Sequence, residues 1–487
     1  VAPVETQAPT RAVATAAAPP DESFRASAPT PDQVKPFVPP QAAQKALSNG
    51  IPVWLVAEPS RYCTIEVVAK GGLVDAVGGR GEPMDLVFET MVGMARGTSK
   101  WDYAGLSDQL GLHLMPVPKG TTDKDGLEYE VTFPSDQLAG AVDVLAEIVL
   151  RPSFDKKTFE RSREQDARGY EDEASDAQKV AQRVALRALL GKHPYASFST
   201  PRGARSVQPS DAKTLHARMF DPSRISLVVT GDLVAKDVLA ALEGAFGKAK
   251  VARPAPTAPL LPKPVVAAGP SLVVVDKPGS ASVTVAGAYL GPAPASTDEL
   301  AARMAFYTAI SSRVGRGERL RDELKLVPWT APGVGTGRSA EIFTWYARTS
   351  TDKVAPLLAE IERITQDLAS TGPTEGELDS IRRWTTGVPA SLWETPQSLA
   401  ESVGEQILLG LPPEALADRF AGAATTTADA MRAAAARYLT RANMRVAVVG
   451  DLAALREPLT ALGWGPIEAR DALGAVVVSG PSAGAVR

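Results

Sequence analysis

The chain reads twice. Pro222-Ser-Arg-Ile-Ser-Leu-Val-Val-Thr-Gly231-Asp232-Leu233 is answered by Ala442-Asn-Met-Arg-Val-Ala-Val-Val-Gly450-Asp451-Leu452, with Gly450 lying 219 residues after Gly231. Upstream, Ile51-Pro-Val-Trp-Leu-Val-Ala-Glu-Pro59 is matched by Ser271-Leu-Val-Val-Val-Asp-Lys-Pro278, and the two prolines are again 219 residues apart. One matched dipeptide would mean little. Two markers at opposite ends of a unit, holding a single offset, mean that a whole folding unit is duplicated.

The rest of the chain divides around these units. Residues 1–43 are rich in Pro and Ala with few large apolar groups, which predicts a disordered tether. A first domain spans 44–252, a Pro-rich linker 253–268, a second domain 269–472 and a small-residue tail 473–487. At 44% hydrophobic and 22% charged residues the composition is that of ordinary globular domains. Fifty-two basic against 56 acidic residues give a net charge of −4 with the signs interspersed, so no global field or polybasic arm points to nucleic acid. The lone Cys63 excludes an intramolecular disulfide framework and a thiolate zinc cage, and its place beside Thr64-Ile65-Glu66-Val67-Val68 suits a small buried side chain. No window approaches the 18 or so apolar residues of a membrane span. The chain starts at Val1, and with the tether this predicts a removed export signal or lipid-modified cysteine and a periplasmic, cell-envelope or secreted location.

Each repeat follows the order strand, strand, helix, strand, helices, strand, helix. In the first, Val53–Val56 and Ile65–Ala69 are β-branched runs, Met84–Ala95 is an apolar helix-length segment, and Glu128–Phe133 alternates at period two. Asp136–Val149 carries helical spacing, helical signals run from Lys156 to Gly191, and Arg224–Thr230 closes the unit as a strand. In the second, helices are expected at Thr297–Ser311, Asp352–Ser370, Glu375–Trp384, Ser398–Leu409 and Thr427–Tyr438. Hairpin-like strands mixed with helices predict an α+β fold: two homologous α/β-roll domains, each a mainly antiparallel sheet with helices packed on one side.

The ordered pieces carry a resemblance. Leu47-Ser-Asn-Gly50-Ile, Gly71-Gly72, Arg96-Gly97-Thr98, Leu106 to Leu110-Gly111, Glu147 to Arg151-Pro152-Ser-Phe154, His193-Pro194-Tyr195 and Phe220-Asp-Pro222 follow one another in the first repeat. Ser312-Arg313, Leu320-Arg321-Asp322-Glu323, Pro373-Thr374, Glu377-Leu378, Trp393-Glu394-Thr395 and Val448-Val-Gly450-Asp451 follow in the second. Taken in order, they resemble the pitrilysin, insulinase and mitochondrial processing peptidase family of inverzincin zinc peptidases. Active members of that family carry H-x-x-E-H on a helix, where two imidazoles one turn apart bind zinc and the glutamate takes a proton from the bound water.

This chain departs from the pattern at that point. Aligned on Glu89-Thr90-Met91, the two histidine positions hold Leu86 and Thr90; a two-residue slide puts Phe88 and Val92 there instead. Neither pair ligates zinc, and Glu89 alone cannot hold the ion. The family's third ligand would fall in Gln165–Glu173, a charge-rich helical stretch that reads equally as a solvated face. The only histidines are His113, His193 and His216, at spacings that match no metal motif. His193 reads as a structural turn residue, His113 as a strand-entry position and His216 as part of a helix face. The expectation is a degenerate peptidase with no metal and no cofactor.

The resemblance implies two further things. Inactive relatives form half of a peptide-enclosing chamber beside a catalytic H-x-x-E-H subunit, to which they contribute an arginine and a tyrosine. Arg321 is the candidate arginine, and Trp329 stands at the tyrosine position without a phenol oxygen. The other reading of Arg321 is a surface pair with Asp322 or Glu323. The chain is thus expected to be a non-catalytic subunit that helps to bind or position peptide, as a heterodimer with an active subunit or as a homodimer. The alternative is a structural scaffold that handles no peptide.

Overall fold

The structure is a computed structural model that describes residues 41–73, 75, 97–116, 119–122, 124–252 and 261–477. The expected helix at Met84–Ala95 and most of the Pro-rich linker lie outside these residues.

The first repeat contributes strands β1 (Ala43–Ala46), β2 (Pro52–Ala57), β3 (Tyr62–Lys70), β4 (Lys119–Thr122), β5 (Gly126–Pro134) and β6 (Ile225–Gly231), ordered β1-β2-β6-β3-β5-β4. The second contributes β7 (Leu272–Asp276), β8 (Ser282–Leu290), β9 (Thr330–Gly337), β10 (Ala340–Ser350), β11 (Met444–Gly450) and β12 (Ile467–Arg470), ordered β12-β7-β11-β8-β10-β9. Five strands correspond one to one, with β2 parallel to β6 as β7 is to β11, and the remaining pairs among them antiparallel. The sixth position differs: β1 enters antiparallel from the amino-terminal side, whereas β12 returns parallel from the carboxyl-terminal side. The strand β1 begins at Ala43, the last residue assigned to the tether.

Helices α1 (Tyr103–Leu112), α2 (Leu138–Leu150), α3 (Lys156–Ser175), α4 (Ala177–Leu190), α5 (Pro201–Ser206), α6 (Pro209–Met219) and α7 (Ala235–Ala245) belong to the first repeat. Helices α8 (Glu299–Ile310), α9 (Gly317–Asp322), α10 (Val354–Thr371), α11 (Glu375–Leu392), α12 (Pro396–Leu409), α13 (Ala415–Thr425), α14 (Ala428–Tyr438) and α15 (Leu452–Ala461) belong to the second. Alternation along β3 puts Cys63, Ile65, Val67 and Ala69 on one face, buried against Val142, Leu145 and Ile148 of α2 and Val238 and Leu242 of α7. In the second repeat Val283, Val285 and Tyr289 of β8 meet Phe306 of α8 and Leu357 and Ile361 of α10 in the same way.

Each sheet carries helices of its own repeat on one face, as expected, and its opposite face receives a helix from the other repeat. Helix α4 crosses to the second sheet, where Val180, Ala181, Val184 and Ala188 lie on Val273, Ala286, Ala288 and Ala447. Helix α12 crosses to the first, where Leu399, Ala400, Val403 and Ile407 lie on Val56, Val68 and Val228. Both crossings are locally specified. Asp176 caps α4 through the Gln178 and Lys179 amides, and Thr395 with Ser398 boxes the start of α12 before Pro396. Gly410, left-handed at φ 74°, ends α12. Each Val or Leu so covered contributes about 1.5–3 kcal/mol, so the exchange fastens the two repeats together.

The flanks are also tied down. The Ala267 amide donates to the Leu189 carbonyl at 2.7 Å, and Arg445 Nη2 donates to the Ala267 carbonyl at 2.7 Å. In the tail, Asp471 accepts from the Leu473 and Ala475 amides, and Val476 bridges back to Arg470.

Candidate functional site

Leu86, Glu89 and Thr90, the degenerate motif positions, lie outside the described residues. The donors that could replace them are engaged elsewhere. His193 caps the turn Pro194–Ala196, with Nδ1 accepting from the Tyr195 amide at 3.1 Å and Nε2 2.8 Å from the Pro262 carbonyl oxygen. His216 is buried between Phe154 and Phe220 with Nε2 2.8 Å from the Val149 carbonyl oxygen, and burial pushes its pKa down to about 4. His113 ends helix α1 and meets Gln137 Oε1 at 3.3 Å, where a strand entry was expected. On α3, Glu171 pairs with Arg205 at 2.7 Å, and Glu173 pairs with Lys179 and Arg183 at 2.7 and 2.9 Å. Among the described residues no group of three His, Cys, Asp or Glu could hold a metal ion. The side chains present do not fit the family's zinc. Cys63 is buried, with Sγ 3.0 Å from the Asp232 carbonyl oxygen, and burial pushes its thiol pKa up.

Arg321 lies on α9. Its Nε and Nη2 donate to the two carboxylate oxygens of Asp322 at 2.7 and 2.5 Å, and Nη1 donates to the Ser312 carbonyl at 3.1 Å. Trp329 precedes the edge strand β9, 40% exposed, with its ring edge-on to Tyr346 at 4.9 Å between centroids. The guanidinium is therefore held by its neighbour, while the indole is partly exposed.

Where the repeats meet, Asp125 joins one hairpin to the other. Its Oδ2 accepts from the Tyr195 hydroxyl at 2.8 Å and the Arg338 amide at 2.7 Å, and its Oδ1 accepts from Arg338 Nε at 3.1 Å. The glycines of β9 fit this contact: a Cβ on Gly337 would stand 2.6 Å from the Tyr195 ring, and one on Gly335 2.8 Å from Lys124 Nζ.

Sequence reasoning missed a carboxylate face under α12. Glu66 on β3 stands in register with Glu130 on β5, fully buried, and its oxygens have no hydrogen bond among the described residues. Lys119 Nζ bridges Glu401 at 2.8 Å and Glu130 at 3.3 Å. Gln397 Nε2 donates to Glu130 at 2.8 Å and to Glu401 at 3.2 Å. Burial, then Glu128, Glu130 and Glu401, hold the Glu66 pKa well above the usual carboxylate range. Burial and Glu401 push that of Glu130 up to about 7. The available signal is a glutamate inside the apolar run Cys63–Ala69, which the alternation alone presents as strand.

Comparison with known proteins places this geometry. Residues 90–198 match the family described as Insulinase (Peptidase family M16), and residues 206–383 match the Peptidase M16 inactive domain. The first match begins beyond Leu86 and Glu89. A non-peptidase homolog, YmxG of Helicobacter pylori, is 21% identical over 328 residues, covering 65% of this chain and 73% of that one. The crystal structure of a peptidase M16 inactive domain from Pseudomonas fluorescens superposes with TM-score 0.73 at 18% identity, covering 84% of this chain and 98% of that one. The structure described as a protease from Helicobacter pylori gives 0.73 at 17% identity, covering 84% and 99%. With two duplicated α+β units in the M16 frame and side chains unsuited to zinc at the motif positions, the chain belongs to the M16 (insulinase) peptidase family as a non-catalytic member.

Proposed function

We propose that this pseudo-peptidase is a subunit of a zinc-peptidase-like assembly, forming half of a peptide-enclosing chamber and positioning peptide for an active H-x-x-E-H partner. One observation carries the reading: among the described residues the two-repeat frame persists, with both exchanged helices and the Asp125 tie, while the sequence holds no histidine at the zinc-motif positions. A frame kept without its chemistry serves binding or assembly. The terminal strands β4 and β9 are of the kind to which an extended peptide adds through main-chain hydrogen bonds. The assembly is a heterodimer with an active family subunit or a homodimer, and the Pro/Ala composition of residues 1–40 goes with a cell-envelope location.

The test is cleavage of an unfolded reporter peptide, with zinc content measured in parallel. The chain alone should hold no stoichiometric zinc and cut nothing, and cleavage by a co-purifying H-x-x-E-H protein should rise when it is added. Unchanged cleavage would leave the scaffold reading, which the Asp322 grip on Arg321 favours.

A further inference from the structure

The two exchanged helices cover pseudo-equivalent sheet faces of opposite chemistry. Val228 and Ala447 are 219 residues apart; Glu66 pairs with Val228 on one side and Glu130 on the other, as Ala286 pairs with Ala447 and Tyr346. Glu66 therefore stands where the second sheet has Ala286, and Glu130 where it has Tyr346. The fold does not require these acids, since α4 sits over an apolar set at the same place. An ionised Glu66 there would be a buried charge without a hydrogen bond, a costly arrangement that protonation relieves.

We propose that the contact of α12 with the first sheet is a proton-dependent latch, closed while Glu66 and Glu130 hold protons and released as they ionise. The facing groups from every packed element are few. Strand β5 brings Glu128 and Glu130, and β4 brings Lys119. Strand β6 brings Val228 and Thr230, whose hydroxyl donates to the Pro396 carbonyl, and α12 brings Gln397, Glu401 and Gly404. A Cβ on Gly404 would stand 2.4 Å from Glu66 Oε2, so helix and carboxyl are in direct contact. Lys119 is the only cation among these groups, against four carboxylates.

The sign follows from where the protons are. In the released state Glu66 and Glu130 meet water and titrate near the ordinary 4.5, whereas in the closed state Glu130 titrates at about 7 and Glu66 well above its ordinary value. The closed state thus binds more protons between about pH 4.5 and 7 and is favoured on the acidic side. The ratio of closed to released should fall by up to about tenfold per pH unit for each extra proton held.

Hydrogen exchange of the full chain at pH 6 and pH 8, corrected for the intrinsic pH dependence of exchange, tests this with α4 as internal reference. Protection of α12 relative to α4 should fall about tenfold or more by pH 8. Glu66→Gln combined with Glu130→Gln should make the ratio independent of pH. Should that pair fail to fold, judged by circular dichroism, Glu66→Ala copies the residue found at the pseudo-equivalent position and should reduce the dependence. A wild-type ratio equal at both pH values, or a dependence that survives in the folded variant, would overturn the latch. Neither result bears on peptide handling, so this inference and the proposed function fail separately.

Discussion

Asp125→Ala tests whether the hairpin contact couples the two repeats. The carboxylate is 2% exposed and accepts from the Tyr195 hydroxyl, the Arg338 amide and Arg338 Nε. Truncation leaves the hydroxyl and the amide without this acceptor, at about 1–3 kcal/mol for each buried group left unsatisfied. The Arg338 side chain is 31% exposed, so water solvates the guanidinium and the lost ion pair adds little. The expected loss is about 2–6 kcal/mol. Asp125→Asn keeps one carbonyl acceptor and should lose roughly half as much. Urea unfolding of wild type and both variants, followed by tryptophan fluorescence and circular dichroism, gives the numbers. Because the tie joins the repeats, the two probes should separate more in Asp125→Ala than in wild type. A loss below about 0.5 kcal/mol, against the 1–3 kcal/mol of even one unsatisfied group, would refute the assignment. So would equal losses for Ala and Asn.

Other positions give independent checks. His216 stays neutral in the fold down to about pH 4, while the unfolded chain protonates it near 6.5, so its contribution to stability falls as pH drops through that window. At pH 5 that is about 2 kcal/mol relative to pH 7, and His216→Phe should remove that part of the difference in denaturant titrations at the two pH values. Gly169, mid-helix in α3 with open space around a built Cβ, should gain about 0.5–1 kcal/mol as Gly169→Ala. Gly404→Ala, pressed on the buried Glu66 carboxyl, should lose about 1–3 kcal/mol, so two identical substitutions are expected to move the melting temperature in opposite directions.

The readable part of this chain is the part whose environment is local. Strands β6 and β11 are central and buried along their whole length, so Ile-Ser-Leu-Val-Val and Met-Arg-Val-Ala-Val-Val declare themselves twice. Strand β9 did not. Its run Thr-Ala-Pro-Gly-Val-Gly-Thr-Gly reads as loop, because Gly337 leaves room for the Tyr195 ring from the other repeat. The helix exchange was invisible for a related reason. Leu399, Val403 and Ile407 show that α12 has an apolar face, but periodicity cannot say which sheet covers it.

The candidate site divides along the same line. The loss of zinc donors is a matter of residue identity and is legible at Leu86 and Thr90 without any coordinates. The surroundings of Arg321 depend on neighbouring side chains: of Asp322 and Glu323, the two partners that a surface pair could take, its guanidinium lies on Asp322. Glu66 depends on everything around it. In sequence it is one carboxylate in a strand of apolar residues. Only when α12 of the other repeat closes over it, with Glu130 beside it and Lys119 committed to Glu130 and Glu401, does the ordinary glutamate become a group whose charge the fold resists. An exchanged helix is what makes such a site possible, because it lets one repeat set the ionisation of a residue in the other.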